Sequence, residues 1–203
     1  MKPPEYRCCD SNPKTGFSFI VRLLACLLLC LAVGACAPGR GLPDLPPAVP
    51  GAYRLDAGDV VRLITVGDDS LTGEFRISDT GQIALPMLGN VAATGLTPDA
   101  LAARITQALV KANLYTAPSV SAEITAYRPI FVLGEVSKPG QYPFQPGMTV
   151  VTAAAVAGGF TYRAVTDYAS VVRTQDGVAV EGKATRQSFI QPGDVITIFE
   201  RRF

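Results

Sequence analysis

Few side chains in this 203-residue chain could do chemistry. It has no histidine, which removes the commonest general base and metal ligand. Asp68-Asp69 is the one adjacent carboxylate pair, and neighbours along an extended backbone point to opposite faces, so adjacency does not make them an acid/base pair. Ala157-Gly158-Gly159 lacks the Lys-Ser/Thr of a phosphate-binding loop and reads as the end of a helix. Tyrosine-arginine pairs recur at Tyr53-Arg54, Tyr127-Arg128 and Tyr162-Arg163. Such pairs can stack on sugars or hold acidic polymer groups, which makes Arg128, Tyr162 and Arg163 the candidate contacts for a polymer. The plainer alternative is strand-edge residues with one side buried. This inventory predicts no catalytic residues, no metal site and no cofactor. The balance of 18 Lys+Arg against 17 Asp+Glu gives no footprint for nucleic acid.

One cysteine stands apart. Lys2, Arg7, Lys14 and Arg22 precede an apolar run, Leu23 to Val33, too short for a stable bilayer span and of the form of a targeting segment. It ends in Val33-Gly34-Ala35-Cys36, which resembles a bacterial lipobox. Cleavage before Cys36 removes residues 1–35 as a signal peptide together with Cys8, Cys9, Cys26 and Cys30. Cys36 is then a lone thiol, with no partner for a disulfide or a zinc site, and its expected role is to carry lipid. Four basic and two acidic residues lie before it, leaving 14 against 15 in the mature chain. Residues 36–52 hold Pro38, Pro43, Pro46, Pro47 and Pro50 and read as an extended spacer with no means of packing a core.

These residues must be positioned by two successive α/β patterns, 53–126 and 127–203. In the first, Gly58-Asp59 turns into a β-branched strand, Val60 to Val66. Phe75 and Ile77 alternate with polar residues, and Asp79-Thr80-Gly81 predicts a hairpin to Gln82–Leu85; Val91 to Thr94 is a further extended piece. Thr97 is placed to cap a helix, with Pro98 at its first position and Asp99 at the positive end of its dipole. Leu101, Ile105, Ala108 and Leu109 form its apolar stripe, and the helix should end near Ala112-Asn113. Val120 to Ala126 alternates as a half-exposed strand.

The second pattern opens with a buried strand, Ile130 to Leu133, a turn at Gly134 and a type II turn at Lys138-Pro139-Gly140. Thr149 caps a short helix, Val150 to Ala157, whose small apolar side chains predict burial on more than one side. Val171-Val172-Arg173 and Val178-Ala179-Val180 flank an Asp-Gly hairpin turn, and Val195 to Phe199 is the last strand. Leu55-Asp56-Ala57-Gly58-Asp59-Val60 echoes Ile190-Gln191-Pro192-Gly193-Asp194-Val195, a sharing of turn chemistry rather than a duplication.

In order and spacing these words resemble a family. Y-x-L-x-x-G-D-V, D-x-G-x-I-x-L-P-x-x-G and the Gly95-Leu96-Thr97 helix start resemble the domain of polysaccharide biosynthesis/export proteins of the Wza-like class. V-x-G-E-V-x-x-P-G-x-Y, A-G-G-F and P-G-D-V resemble an SLBB (soluble ligand-binding β-grasp) module. The resemblance implies an α/β (α+β) chain: a small mixed-sheet export domain, then a β-grasp-like SLBB domain. It also implies a periplasm-facing, outer-membrane lipoprotein, not an enzyme, that forms a homo-oligomeric ring for export of capsular or extracellular polysaccharide. Its expected partners are the polysaccharide and an inner-membrane polysaccharide co-polymerase of the chain-length or tyrosine-kinase type. Ala37 after Cys36 is consistent with outer-membrane sorting. Only Glu200 to Phe203 follow the last strand, against the roughly 20 residues of a spanning helix, so a separate outer-membrane pore protein, or a pore made otherwise than by the chain's own C-terminal helix, is expected. The alternative reading is a lipid-anchored glycan- or partner-binding module without a conduit.

Replacing Cys36 by serine is expected to leave a soluble or unprocessed periplasmic form; wild-type fractionation with the outer membrane in the absence of partners would refute the lipid attachment.

Overall fold

The computed structural model describes residues 38–47, 53–175 and 177–201. The targeting segment and Cys36 lie outside them. Strand β1, Val60–Thr65, is the centre of the first sheet, flanked by β2, Gly73–Arg76, and β5, Val120–Ala126, both antiparallel to it. Strands β3, Gln82–Leu85, and β4, Gly89–Ala92, form a separate antiparallel hairpin. Helix α1, Pro98–Lys111, carries the predicted signals: the Thr97 side chain accepts from the Ala100 amide, and Pro98 and Asp99 open the first turn. It buries Leu101, Ala102, Ile105 and Leu109 against Leu55, Val61, Leu63, Leu71, Ile77 and Ile83. Asn113 takes the left-handed conformation that closes a helix.

The expected hairpin between Phe75–Ile77 and Gln82–Leu85 does not form. β2 faces β1, with Phe75 opposite Val61, and β3 faces β4, with Ile83 opposite Val91. The competing partner is the Asp59 turn: the Ile77 amide donates to the Asp59 carbonyl and the Gly58 amide to the Ile77 carbonyl. The hairpin bends instead at Pro86–Leu88, with Met87 at φ 64°.

The second domain is one five-stranded sheet in the order β7-β6-β10-β8-β9. Its strands are β6, Ile130–Gly134; β7, Gly140–Tyr142; β8, Tyr168–Gln175; β9, Val178–Thr185; and β10, Val195–Ile198. The last strand enters the middle, parallel to β6 and antiparallel to β8, and α2, Val150–Val156, covers one face. This is the β-grasp arrangement. β8 and β9 meet across a two-residue connection, Gln175 pairing with Val178, as the Asp-Gly signal predicts. The chain turns at Gly134, φ 81°, but Pro139-Gly140 is not a type II pair: Gly140 already pairs with Val132 as the start of β7. Ser137 and Lys138 are held instead by the carbonyls of Gly159 and Ala157 behind α2.

Two expectations about packing are corrected. Helix α2 buries only one face, Val150, Ala153 and Ala154, while Ala155 is exposed and Val156 is 51% exposed; among the described residues nothing packs behind it. Residues 38–47 do not extend freely as a spacer. They dock on the second domain, where the Leu45 amide donates to the Lys183 carbonyl and the Lys183 amide to the Pro43 carbonyl. This strap pairs with the otherwise open edge of β9, parallel to it, and Leu45 packs on the core. A Cβ on Gly182 would stand 2.7 Å from Leu45 Cα, so glycine permits the close approach.

Arg173 closes this arrangement from inside. Its Nε and Nη2 donate to Asp194 at 3.0 and 2.7 Å, Nη2 also to the Phe189 carbonyl, and Nη1 to the Pro46 carbonyl of the strap. The two side chains are 2% and 1% exposed. Removing one partner of a buried pair leaves the other charged and unpaired, so Arg173→Met is expected to cost about 3–5 kcal/mol. Urea unfolding followed by circular dichroism measures it, and a loss below about 1 kcal/mol would show that the pair is not a dry one.

Candidate functional site

Two turns of the same sequence form bring the domains together. In the first, Asp59 is fully buried, and its Oδ2 accepts from the Asp56 amide at 3.0 Å and from the Tyr53 hydroxyl at 2.7 Å. In the second, Asp194 Oδ2 accepts from the Gln191 amide at 2.7 Å. Each carboxylate thus closes its turn on the amide three residues earlier and launches a central strand, β1 or β10.

Arg128 sits between them. Its amide donates to Asp59 Oδ1 at 2.9 Å, and its Nη1 to Asp56 Oδ2 at 2.5 Å. Its Nε stands 3.7 Å from Asp59 Oδ1, close enough for attraction and too far for a hydrogen bond. From the other side, a Cβ on Gly193 would stand 3.8 Å from the Arg128 guanidinium carbon, and the Gly193 amide donates to the Pro129 carbonyl. Beside this joint Tyr127 stacks edge-on between Tyr53 and Phe144, with ring centroids 5.0 and 5.5 Å apart, linking the two cores. Burial, then the hydrogen bond to Asp59, pushes the Tyr53 hydroxyl pKa well above its ordinary value. Asp68 is likewise engaged: it caps the short 3-10 turn Asp69–Leu71, and its hydrogen bonds from Ser70, then Tyr115, hold its carboxyl below the usual range.

The candidate polymer contacts are not brought together. Arg128 is half-buried and its guanidinium is committed to Asp56 and Asp59. Tyr162 and Arg163 share a loop at the far end of the second sheet, where Arg163 pairs with Glu200 and Tyr162 is 87% exposed. Sequence reasoning missed the carboxylates that hold Arg128, although the paired G-D-V turns carried the signal. It also missed an apolar strip on the open face of β6, Phe131 and Leu133, legible as alternation within the buried-strand run. Between α1 and the free edge of β5 lies a shallow groove of about 470 Å³, lined by Asp99, Ala102, Thr106, Gln107 and Ser121 among others. Among the described residues no three of Cys, Asp and Glu gather as metal ligands, and no helix is long and apolar enough to cross a membrane.

Fold and site together define a class: an antiparallel α+β domain joined to a β-grasp domain. Residues 47–125 match the family described as polysaccharide biosynthesis/export protein, and residues 129–183 match the SLBB domain. The chain belongs to the polysaccharide biosynthesis/export protein family and carries its export domain followed by an SLBB domain. It is 32% identical over 162 residues to the exopolysaccharide production protein ExoF of Rhizobium meliloti (strain 1021). That alignment takes in 74% of this chain and 37% of the relative, so the chain spans well under half the length of the curated protein it matches.

The raised Tyr53 pKa sets an alkaline limit. The folded state holds this proton more tightly than the unfolded chain does, so its contribution is complete below the ordinary tyrosine value of about 10 and is lost as pH rises past it. Stability of the wild type should fall from about pH 10 upward, and Tyr53→Phe should be less stable at neutral pH with a shallower alkaline decline. Unfolding midpoints across pH measure this, and parallel declines would refute it.

Proposed function

We propose that this protein is a periplasm-facing, lipid-anchored component of an export route for capsular or extracellular polysaccharide, acting as an assembled ring and not as an enzyme. The observation that carries the reading is the tandem itself, an export domain and an SLBB domain in one chain, locked by the Arg128 joint. The match to an exopolysaccharide production protein supports the same substrate class. In this reading Cys36 carries the acyl chains at the outer membrane. An inner-membrane polysaccharide co-polymerase delivers the polymer.

Ring assembly is supported by surfaces that a lone copy leaves open. Val156 and Ala155 on α2 and the Phe131–Leu133 strip on β6 lie on opposite faces of the second domain, which suits head-to-tail contact, the geometry that closes into rings. The strands β2 and β5 likewise end the first sheet on opposite sides, and open strand edges seek partners.

Disruption of the gene should abolish polymer at the cell surface, with restoration by the wild-type copy; unchanged surface polymer would overturn the export reading. In detergent the purified protein should have the mass of a closed multimer, and Leu133→Glu should shift it toward monomer without lowering the unfolding midpoint. A strictly monomeric wild type at micromolar concentration, with the inner-membrane partner present, would remove the ring.

A further inference from the structure

The two ends of the β-grasp sheet are occupied differently. At the start of β6 and β10 stand Arg128, Pro129 and Gly193, the joint to the export domain. β10 then runs four residues, about 13 Å at 3.3 Å per residue, to the opposite end. There the strap begins: the Tyr168 hydroxyl donates to the Pro38 carbonyl at 2.8 Å, and the Phe199 ring lies against Gly39 and tilts onto Tyr168, centroids 5.9 Å apart. The loop carrying Tyr162 and Arg163 joins the same end, because the Arg201 amide donates to the Arg163 carbonyl and the Val165 amide to the Phe199 carbonyl.

Pro38 is two residues from Cys36, a reach of at most about 7 Å. A lipid on Cys36 therefore cannot stand far from the fixed Pro38 carbonyl. We infer that this end of the SLBB domain is a phospholipid-headgroup contact surface, centred on Tyr162 with Arg40 and Arg201 around it and the Arg163–Glu200 ion pair beside it, and that the export domain is held on the side away from the bilayer. The inference rests on the lipid attachment proposed above. Three further features fit a bilayer surface as occupant. Tyr162 is the most exposed of the large hydrophobic side chains among the described residues, and tyrosine settles at membrane-water interfaces. Arg40 and Arg201 are exposed and lie one and two residues along the chain from Gly39 and Phe199, which meet there, and basic residues are drawn to anionic headgroups. The surface is also continuous with the tether, so binding it needs no separate approach.

The chain has no tryptophan, which permits a direct test. Residues 36–203 contain the whole compact unit 38–203 and keep Cys36 as their sole thiol, so they can be coupled through it to a maleimide phospholipid in vesicles of mixed zwitterionic and anionic lipid with brominated acyl chains. This fixes the anchor whether or not the cell lipidates Cys36; failure of the lipid-attachment reading is seen separately, in fractionation of Cys36→Ser. Single-tryptophan variants Tyr162→Trp and Met87→Trp, both at exposed turns, then report depth. Emission of the first should shift to the blue and be quenched by bromine, while that of the second stays unquenched. Equal quenching at both positions, quenching at 87 alone, or a blue shift at 162 without quenching, which would mean contact with another copy of the chain, overturns the inference.

Discussion

A carboxylate buried at the end of a turn is the constraint on which this molecule depends. Asp59 and Asp194 are each almost fully removed from water, and a charge in that position is tolerable only when its oxygens are matched. Each accepts from the amide three residues earlier; Asp194 is completed by two bonds from the Arg173 guanidinium, and Asp59 by the backbone amide of Arg128 and the Tyr53 hydroxyl. The arginines differ in what they connect. Arg173 draws β8, the Asp194 turn and the Pro46 carbonyl of the strap into one domain. Arg128 reaches out of the second domain to the Asp56–Asp59 turn of the first.

The pairing makes a two-domain chain behave as one body. With Tyr127 wedged between Tyr53 and Phe144, the joint has both a polar centre and an apolar flank, and neither domain can rotate without unpairing a buried charge. A rigid unit presents the same faces at the same angle in every copy. The open faces of α2 and β6 in the second domain and the open strand edges of the first leave such surfaces free.

Much of this could be read from the chain because the determinants are local. The cap at Thr97, the proline after it and the period of Leu101, Ile105 and Leu109 gave α1 its position and buried face. The two-residue connection after Gln175 places β8 beside β9. Failures came where distant partners compete. Ile77 was drawn to the Asp59 turn, so β2 joined β1 and not β3. Proline content alone suggested a free spacer, but backbone carbonyls of proline still accept hydrogen bonds, and Pro38, Pro43 and Pro46 use theirs to dock the strap. Small side chains on α2 suggest burial on more than one side, which needs a second layer that the described residues do not supply. The role of Arg128 was hidden because its partners lie 72 and 69 positions earlier. The echo between the two G-D-V turns was the available clue.

The account turns on whether the Asp59–Arg128 joint holds the domains as one body, and amide hydrogen exchange of the Arg128 N–H reports it. That amide donates to a carboxylate of the other domain. If the joint is permanent, it should exchange as slowly as the central strands β1 and β10, through global unfolding alone. Exchange at the rate of an exposed loop, with β1 and β10 still protected, would show that the domains part while each stays folded, and the single-body account would fail.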